Sequence, residues 1–173
     1  TTLDAFLKKN PSTRPCAACG VWRRNLLNRE AHSFDALATG HNLDDEAQSI
    51  LMNLIKANVG ALARLGPRSG LIAQEGFTQR VKPLYLCTEK EPAAYALLAG
   101  LQPSFTECPN APLSSRGRLR DILNDMKGSA QMKRALVEWF LGAKEALVSQ
   151  PADAIGICAK CGSPSSREVC AAC

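Results

Sequence analysis

Apolar residues recur along the chain with two different periods. Leu43, Ala47, Ile50, Leu51, Leu54 and Ile55 fall on one face of a 3.6-residue repeat, which predicts an amphipathic helix. Just ahead of it lies a short apolar run, Phe34-Asp35-Ala36-Leu37-Ala38-Thr39, closed by Gly40, which predicts a buried strand. Between the two, Asn42 is a suitable N-cap, and Asp44, Asp45 and Glu46 crowd the first helical turn. Strand, glycine turn and helix make the βα unit of an open α/β sheet. Such sheets bind ligands at the carboxyl ends of their strands, so residues 39–45 form the candidate site. Helix capping alone accounts for carboxylates in such a turn, at about 0.3–1 kcal/mol each.

The remaining elements follow from the same pattern. Residues 2–9 predict a short helix, broken by Asn10-Pro11-Ser12-Thr13-Arg14-Pro15. A second helix is predicted from Val21 to Arg29, with Cys16 and Cys19 just ahead of its positive end, which favours anions. Gln79 to Leu84 reads as extended. Thr88-Glu89-Lys90-Glu91 is a capping box opening a helix that runs to Ala99 and stops at Gly100. Met132, Ala135, Leu136, Trp139, Phe140, Ala143 and Leu147 predict the apolar stripe of a last long helix, with residues 149–153 as a linker behind it.

Composition narrows the class. The 173 residues are 46% apolar and 21% charged, the balance of a globular chain of one domain with a small appendage. No apolar run approaches the ~18–20 residues of a membrane span, and no leader pattern is present, so no membrane partner is expected. Charge adds a second feature. Residues 114–134 carry Arg116, Arg118, Arg120, Lys127, Lys133 and Arg134 against Asp121 and Asp125, a local net of +4. Residues 14–30 carry +3, which leaves −2 for the rest of a chain whose total is +5. Positive charge gathered this way marks a polyanion-binding face, with Arg116, Arg118, Arg120 and Lys127 as candidate contacts; two solvated helix faces are the plainer alternative. Aromatic residues are only 5% of the chain, which favours phosphate-backbone and shape recognition over base stacking.

Cysteine spacing supplies the chemistry. Six of the eight cysteines form C-x-x-C pairs, a pattern of metal knuckles in a reducing, cytoplasmic setting more than of secreted disulfides. Cys158-Ala-Lys-Cys161-Gly and Cys170-Ala-Ala-Cys173 are two knuckles able to close a tetrahedral zinc site. So few large apolar residues surround them that metal must supply most of the tail's folding free energy. Cys16 and Cys19 have no second pair nearby. A site of Cys16, Cys19 and Cys108 leaves one coordination position open, which indicates chemistry; a redox pair, or zinc completed by a histidine, are the alternatives. Cys87, in an apolar run, reads as core.

Taken in order, Cys16-Ala-Ala-Cys19-Gly-Val-Trp-Arg-Arg, Ala38-Thr39-Gly40-His41-Asn42-Leu43-Asp44-Asp45-Glu46-Ala47, Leu51-Met52-Asn53, Lys82-Pro83-Leu84, Glu89-Lys90-Glu91, Glu107-Cys108-Pro109 and the double knuckle resemble the tRNA 2-thiouridine synthetases of the TtuA type. These are PP-loop relatives of the archaeal and eukaryotic wobble-uridine thiolases. The resemblance implies an ATP-dependent tRNA uridine 2-sulfurtransferase with a Rossmann-like PP-loop α/β domain over residues 1–150 and a zinc-ribbon tail over 151–173. It implies that ATP with Mg2+ adenylates the uridine C2 oxygen and that a 4Fe-4S cluster on Cys16, Cys19 and Cys108 carries the sulfur. It further implies that Asp44 or Asp45 acts at the adenylation centre, that Gly40 and His41 border the nucleotide, and that Arg23 or Arg24 offsets charge near the leaving adenylate. The implied partners are tRNA, a ubiquitin-like sulfur carrier and, at full length, a second copy of the chain.

One departure qualifies the resemblance. The family's phosphate-gripping Ser-Gly-Gly-x-Asp-Ser loop has no counterpart, because the chain contains no Gly-Gly pair. The expectation is a C-terminal portion whose sheet is incomplete at its N-terminal side and which neither grips ATP nor thiolates tRNA by itself. Two other readings use the same residues: a non-catalytic zinc-dependent tRNA-binding module, and a PP-loop nucleotide amidohydrolase or ligase with structural cysteines.

Overall fold

The computed structural model describes residues 2–69, 78–104, 106–148, 156–162, 164–165 and 168–170. The fold is mixed α/β and divides into two compact units. One comprises Thr1–Leu37, Gly70–Gln79 and Asp153–Cys173, the other Ala38–Ser69 and Arg80–Ala152.

In the first unit, α1 (Leu3–Lys9) is capped by the Thr2 side chain, which accepts from the Ala5 amide at 3.2 Å. It packs on α2 (Pro15–Glu30), where the Phe6 and Trp22 rings meet edge to face at 5.0 Å. Helix α2 begins six residues earlier than the apolar pattern predicts. Pro15 sits at the start of the helix, where its fixed φ is an asset and its missing N–H costs nothing. The alanines that follow are strong helix formers, and Gly20 costs about 1 kcal/mol that the 16-residue helix absorbs. Cys16 and Cys19 are therefore helical residues, three positions apart on one face, rather than a knuckle ahead of the helix.

The second unit carries most of the open three-stranded sheet, of order β1-β3-β2, formed by β1 (Ala36–Ala38), β2 (Arg68–Ser69) and β3 (Gln79–Val81). Strands β2 and β3 are antiparallel, with Arg68 opposite Val81 and Ser69 opposite Arg80. Beyond β1, the Thr39 amide donates to the Val81 carbonyl at 2.9 Å, which fixes the chain entering α3 (Leu43–Ile55). Leu43, Ala47 and Ile50 of α3 are fully buried, and with Leu62, Tyr85, Val137 and Phe140 they form the core. Leu62 comes from α4 (Val59–Ala63) and Val137 and Phe140 from α7 (Ser129–Val148).

Helix α7 is rotated relative to the predicted stripe. Met132 and Trp139 are exposed, while Lys133, Val137 and Phe140 face inward with Leu136 and Leu141 partly covered. The buried row begins on a lysine because α3 offers it a carboxylate. Leu147 lies among side chains outside the described set. Helix α5 (Lys90–Leu98) ends as predicted before Gly100, whose φ of +70° supplies the left-handed stop. Its start differs in detail: the Glu91 carboxylate accepts from the Thr88 amide and hydroxyl, at 2.6 and 2.8 Å. Helix α6 (Ser115–Asp125) follows a single 3-10 turn at Ala111–Leu113. No helix among the described residues is long and apolar enough to cross a membrane.

Candidate functional site

The first turn of α3 is the most densely paired part of the second unit. Asn42 caps it reciprocally: its side chain accepts from the Asp45 amide at 3.0 Å and its amide donates to Asp45 Oδ2 at 3.2 Å. Each of the three acids then takes a cation from a different segment. Asp44 meets Lys133 of α7 at 2.6 Å, Asp45 meets Arg116 of α6 at 3.3 Å, and Glu46 meets Lys82, just past β3, at 2.6 Å. The predicted capping role is correct, but it is the smaller part of what these acids do.

Their environments separate them. Asp44 is buried and both its oxygens are engaged, one by Lys133 and the other by the Glu89 amide at 2.7 Å. Asp45 keeps its side chain about one-third exposed (34%), facing solvent beside the exposed His41 and Gly40. His41 Nδ1 lies 2.9 Å from Thr39 Oγ1, and a Cβ added to Gly40 would meet open space. Of the two aspartates, Asp45 is the more exposed, with its two oxygens engaged by the Asn42 amide and by Arg116.

Glu46 is the deepest of the three, with 2% of its surface exposed, and one of its oxygens has no hydrogen-bond partner among the described residues. The Tyr85 hydroxyl, also buried, has none either. Burial first, and the Glu46 charge second, push the Tyr85 phenol well above its usual range. Lys82 joins the two, pairing with Glu46 and standing 5.8 Å above the centre of the Tyr85 ring.

The basic stretch is not uniformly solvent-facing. Arg116 and Arg120, both partly exposed, pair with Asp45 and with Glu107. Lys133 is buried, and Arg134 donates to the Leu86 carbonyl at 3.1 Å. Arg118 and Lys127 are exposed.

In the first unit, Cys16 and Cys19 are exposed thiols on α2; Arg23 is exposed, and Arg24 Nε donates to the Gly20 carbonyl at 3.0 Å. Cys108 is an exposed thiol in a loop of the second unit. Cys87 is half-buried, and its carbonyl accepts from the Leu43 amide at 2.8 Å.

The tail builds a cysteine centre. Strands β4 (Gly156–Ile157) and β5 (Pro164–Ser165) pair antiparallel, and the turn between them passes Gly162 at φ +67°. The sulfurs of Cys158, Cys161 and Cys170 lie within 4.8 Å of one another. The Cys170 amide donates to Cys158 Sγ at 3.2 Å and is the main reason that the Cys158 thiol is lowered to about 6. A lowered thiol steadied by backbone N–H groups, grouped with two further sulfurs, fits a metal bound by cysteine. Cys173 lies outside the described residues.

No protein-family model matches the chain. It is 38% identical over 164 residues to the tRNA-5-methyluridine(54) 2-sulfurtransferase of Pyrococcus horikoshii, which spans 92% of this chain and 52% of that protein. It is 34% identical over 179 residues to cytoplasmic tRNA 2-thiolation protein 1 of Danio rerio, across 99% of this chain and 51% of the relative. The structure of the U34-tRNA thiolase NcsA from Methanococcus maripaludis with its 4Fe-4S cluster superposes with a TM-score of 0.68 at 34% identity, over 84% of this chain and 48% of that one. The chain belongs to the tRNA 2-thiolation family. It spans about half the length of these relatives. The printed names of family members divide between uridine 34 and 5-methyluridine 54, so membership alone leaves the target uridine open.

Sequence reasoning missed three residues that shape this site: Lys133, Tyr85 and Ser49, whose hydroxyl oxygen accepts from Arg116 at 2.9 Å. Lys133 had a signal, since it lies four and seven positions before Val137 and Phe140 on their own face. Tyr85 and Ser49 had none, because a lone tyrosine or serine carries no pattern.

Proposed function

We propose that this chain is part of an ATP-dependent tRNA uridine 2-sulfurtransferase, with a Rossmann-like PP-loop sheet and a zinc-ribbon tail, working on cytoplasmic tRNA. The observation that carries this reading is the thiolase likeness, 34% identity at a TM-score of 0.68 over 84% of the chain, together with three exposed thiols at Cys16, Cys19 and Cys108.

The C2 oxygen of uridine is a poor leaving group until it is adenylated, and the phosphoryl transfer that does this needs cations and a placed carboxylate. Asp45 takes that role, holding Mg2+ or a proton; what supports it is that its side chain is the most exposed of the three acids. Asp44 holds the turn instead. Gly40 leaves room for a nucleotide, His41 borders it, and Arg23 or Arg24 offsets the negative charge of the leaving adenylate. A 4Fe-4S cluster on Cys16, Cys19 and Cys108 would supply an open iron position for sulfide. Cys158, Cys161 and Cys170, with Cys173 as fourth ligand, would close around zinc. Arg118 and Lys127 meet tRNA phosphates. A ubiquitin-like carrier as sulfur source and a homodimer complete the reading.

Anaerobic reconstitution tests it. With iron and sulfide supplied, the wild-type chain should retain both, with broad visible absorption, and Cys108→Ala should retain neither. A chain that takes zinc but no iron at these cysteines would overturn the cluster and favour a non-catalytic tRNA-binding module.

A further inference from the structure

Arg116 and Arg120 are four residues apart and so share a face of α6. Both side chains are partly exposed and both are engaged by acids. Arg116 reaches α3 twice, with one guanidinium nitrogen 3.3 Å from Asp45 Oδ1 and the other 2.9 Å from Ser49 Oγ. Arg120 donates from two nitrogens to one oxygen of Glu107, each at 3.3 Å, and its Nε lies 3.7 Å from Asp121. Glu107 is the residue before Cys108. The loop between them is short and tied: the Ala111 amide donates to the Cys108 carbonyl at 2.8 Å, and Ser114 Oγ caps α6 by accepting from the Arg116 amide at 3.2 Å. The Glu107–Arg120 pair thus closes a ring of chain that contains Cys108.

We infer that Arg116 and Arg120 are positioning residues, and that α6 is a brace fixing the Cys108 loop relative to the Asp45 turn. This rests on the sulfurtransferase reading for what Asp45 and Cys108 do; the brace itself rests on the contacts above. It removes Arg116 and Arg120 from the tRNA-contact set and leaves Arg118 and Lys127 there. Both pairs are partly exposed, so they contribute little to global stability. Their effect is on where two functional groups stand.

Two measurements on the whole chain decide it. Alkylation of Cys108 by iodoacetamide, resolved by mass spectrometry, should quicken about two- to fivefold in Arg120→Gln and Glu107→Gln, the range one partly exposed ion pair commands. Arg120→Lys should fall between, and the charge-swapped pair Glu107→Arg with Arg120→Glu should return to the wild-type rate. Arg118→Gln should leave the rate unchanged. Arg116→Gln should speed amide exchange at residues 43–46. Against an unmodified tRNA transcript, Arg118→Gln should lower the slope of log affinity on log salt by about one, while Arg116→Gln and Arg120→Gln leave it unchanged. Arg120→Gln lowering that slope while Cys108 alkylates at the wild-type rate would overturn the brace. If the wild type binds no tRNA, the sulfurtransferase reading fails, and the alkylation series still decides the brace alone.

Discussion

Lys133 Nζ stands 2.6 Å from Asp44 Oδ1, with both side chains more than nine-tenths buried. The lysine also donates to Asn124 Oδ1, and the other Asp44 oxygen accepts from the Glu89 amide, so neither charge is left bare. Coulomb attraction at this depth only offsets the cost of taking both ions out of water. Removing one partner is a different matter. Lys133→Met is expected to cost about 3–5 kcal/mol in urea unfolding, because it strands a buried carboxylate. Pairing it with Asp44→Leu should recover most of that loss. A single-variant cost below about 1 kcal/mol would show that the pair is not buried in solution.

Tyr85 gives the opposite expectation. Its hydroxyl is buried without a partner, so Tyr85→Phe removes a polar group whose desolvation is uncompensated. The variant should match or exceed wild-type stability, whereas Tyr85→Ala should cost about 3–5 kcal/mol by leaving a cavity against Leu43 and Phe140. Because the folded phenol is raised, its contribution is complete below the ordinary tyrosine pKa of about 10 and is lost as pH climbs beyond it. In an absorbance titration of the native chain, Tyr85 should ionise only above the ordinary tyrosine range.

Glu91 works at the acid end. Hydrogen bonds from the Thr88 amide and hydroxyl hold its carboxyl below the usual glutamate value. A lowered folded pKa stabilises above the unfolded value of about 4.3, and that stability is lost as pH falls through the folded one. Amide protection in α5, taken relative to the intrinsic exchange rate at each pH, should therefore fall below about pH 4.3 in the wild type. In Thr88→Ala, with the hydroxyl bond gone, the acid transition should move up toward the ordinary glutamate value; an unmoved transition would place the cause elsewhere.

The cysteine centre is checked by metal content. Cys170→Ser removes one of the three grouped sulfurs while keeping the backbone amide that steadies Cys158, so bound metal should be lost and the β4–β5 pairing with it. Chelation should have the same effect on amide exchange at residues 156–162 while leaving α3 and α7 protected. Retained metal in Cys170→Ser would exclude this residue as a ligand.

Much of the α3 neighbourhood is legible in the chain, because local signals agree there: Asn42 caps, the acids follow, and Leu43, Ala47 and Ile50 repeat at helical spacing. Helix α7 is read a third of a turn off, since apolarity alone favours Trp139 and Met132 over a lysine whose partner lies 89 residues away. Two arginines of α6 likewise have partners that spacing does not show, Arg116 pairing with Asp45 and Arg120 with Glu107. Spacing placed the Cys158, Cys161 and Cys170 centre correctly, since a knuckle is a local structure. It misplaced the start of α2, where a proline read as a breaker is the first residue of the helix.

The three acids that open α3 are tied to α7, to α6 and to the chain leaving β3, one apiece. In a loss-of-function screen this hexad of side chains would look like a single invariant catalytic patch. Loss of activity on replacing any one of the three would report a dislocated hub first, because each acid carries an architectural tie of its own.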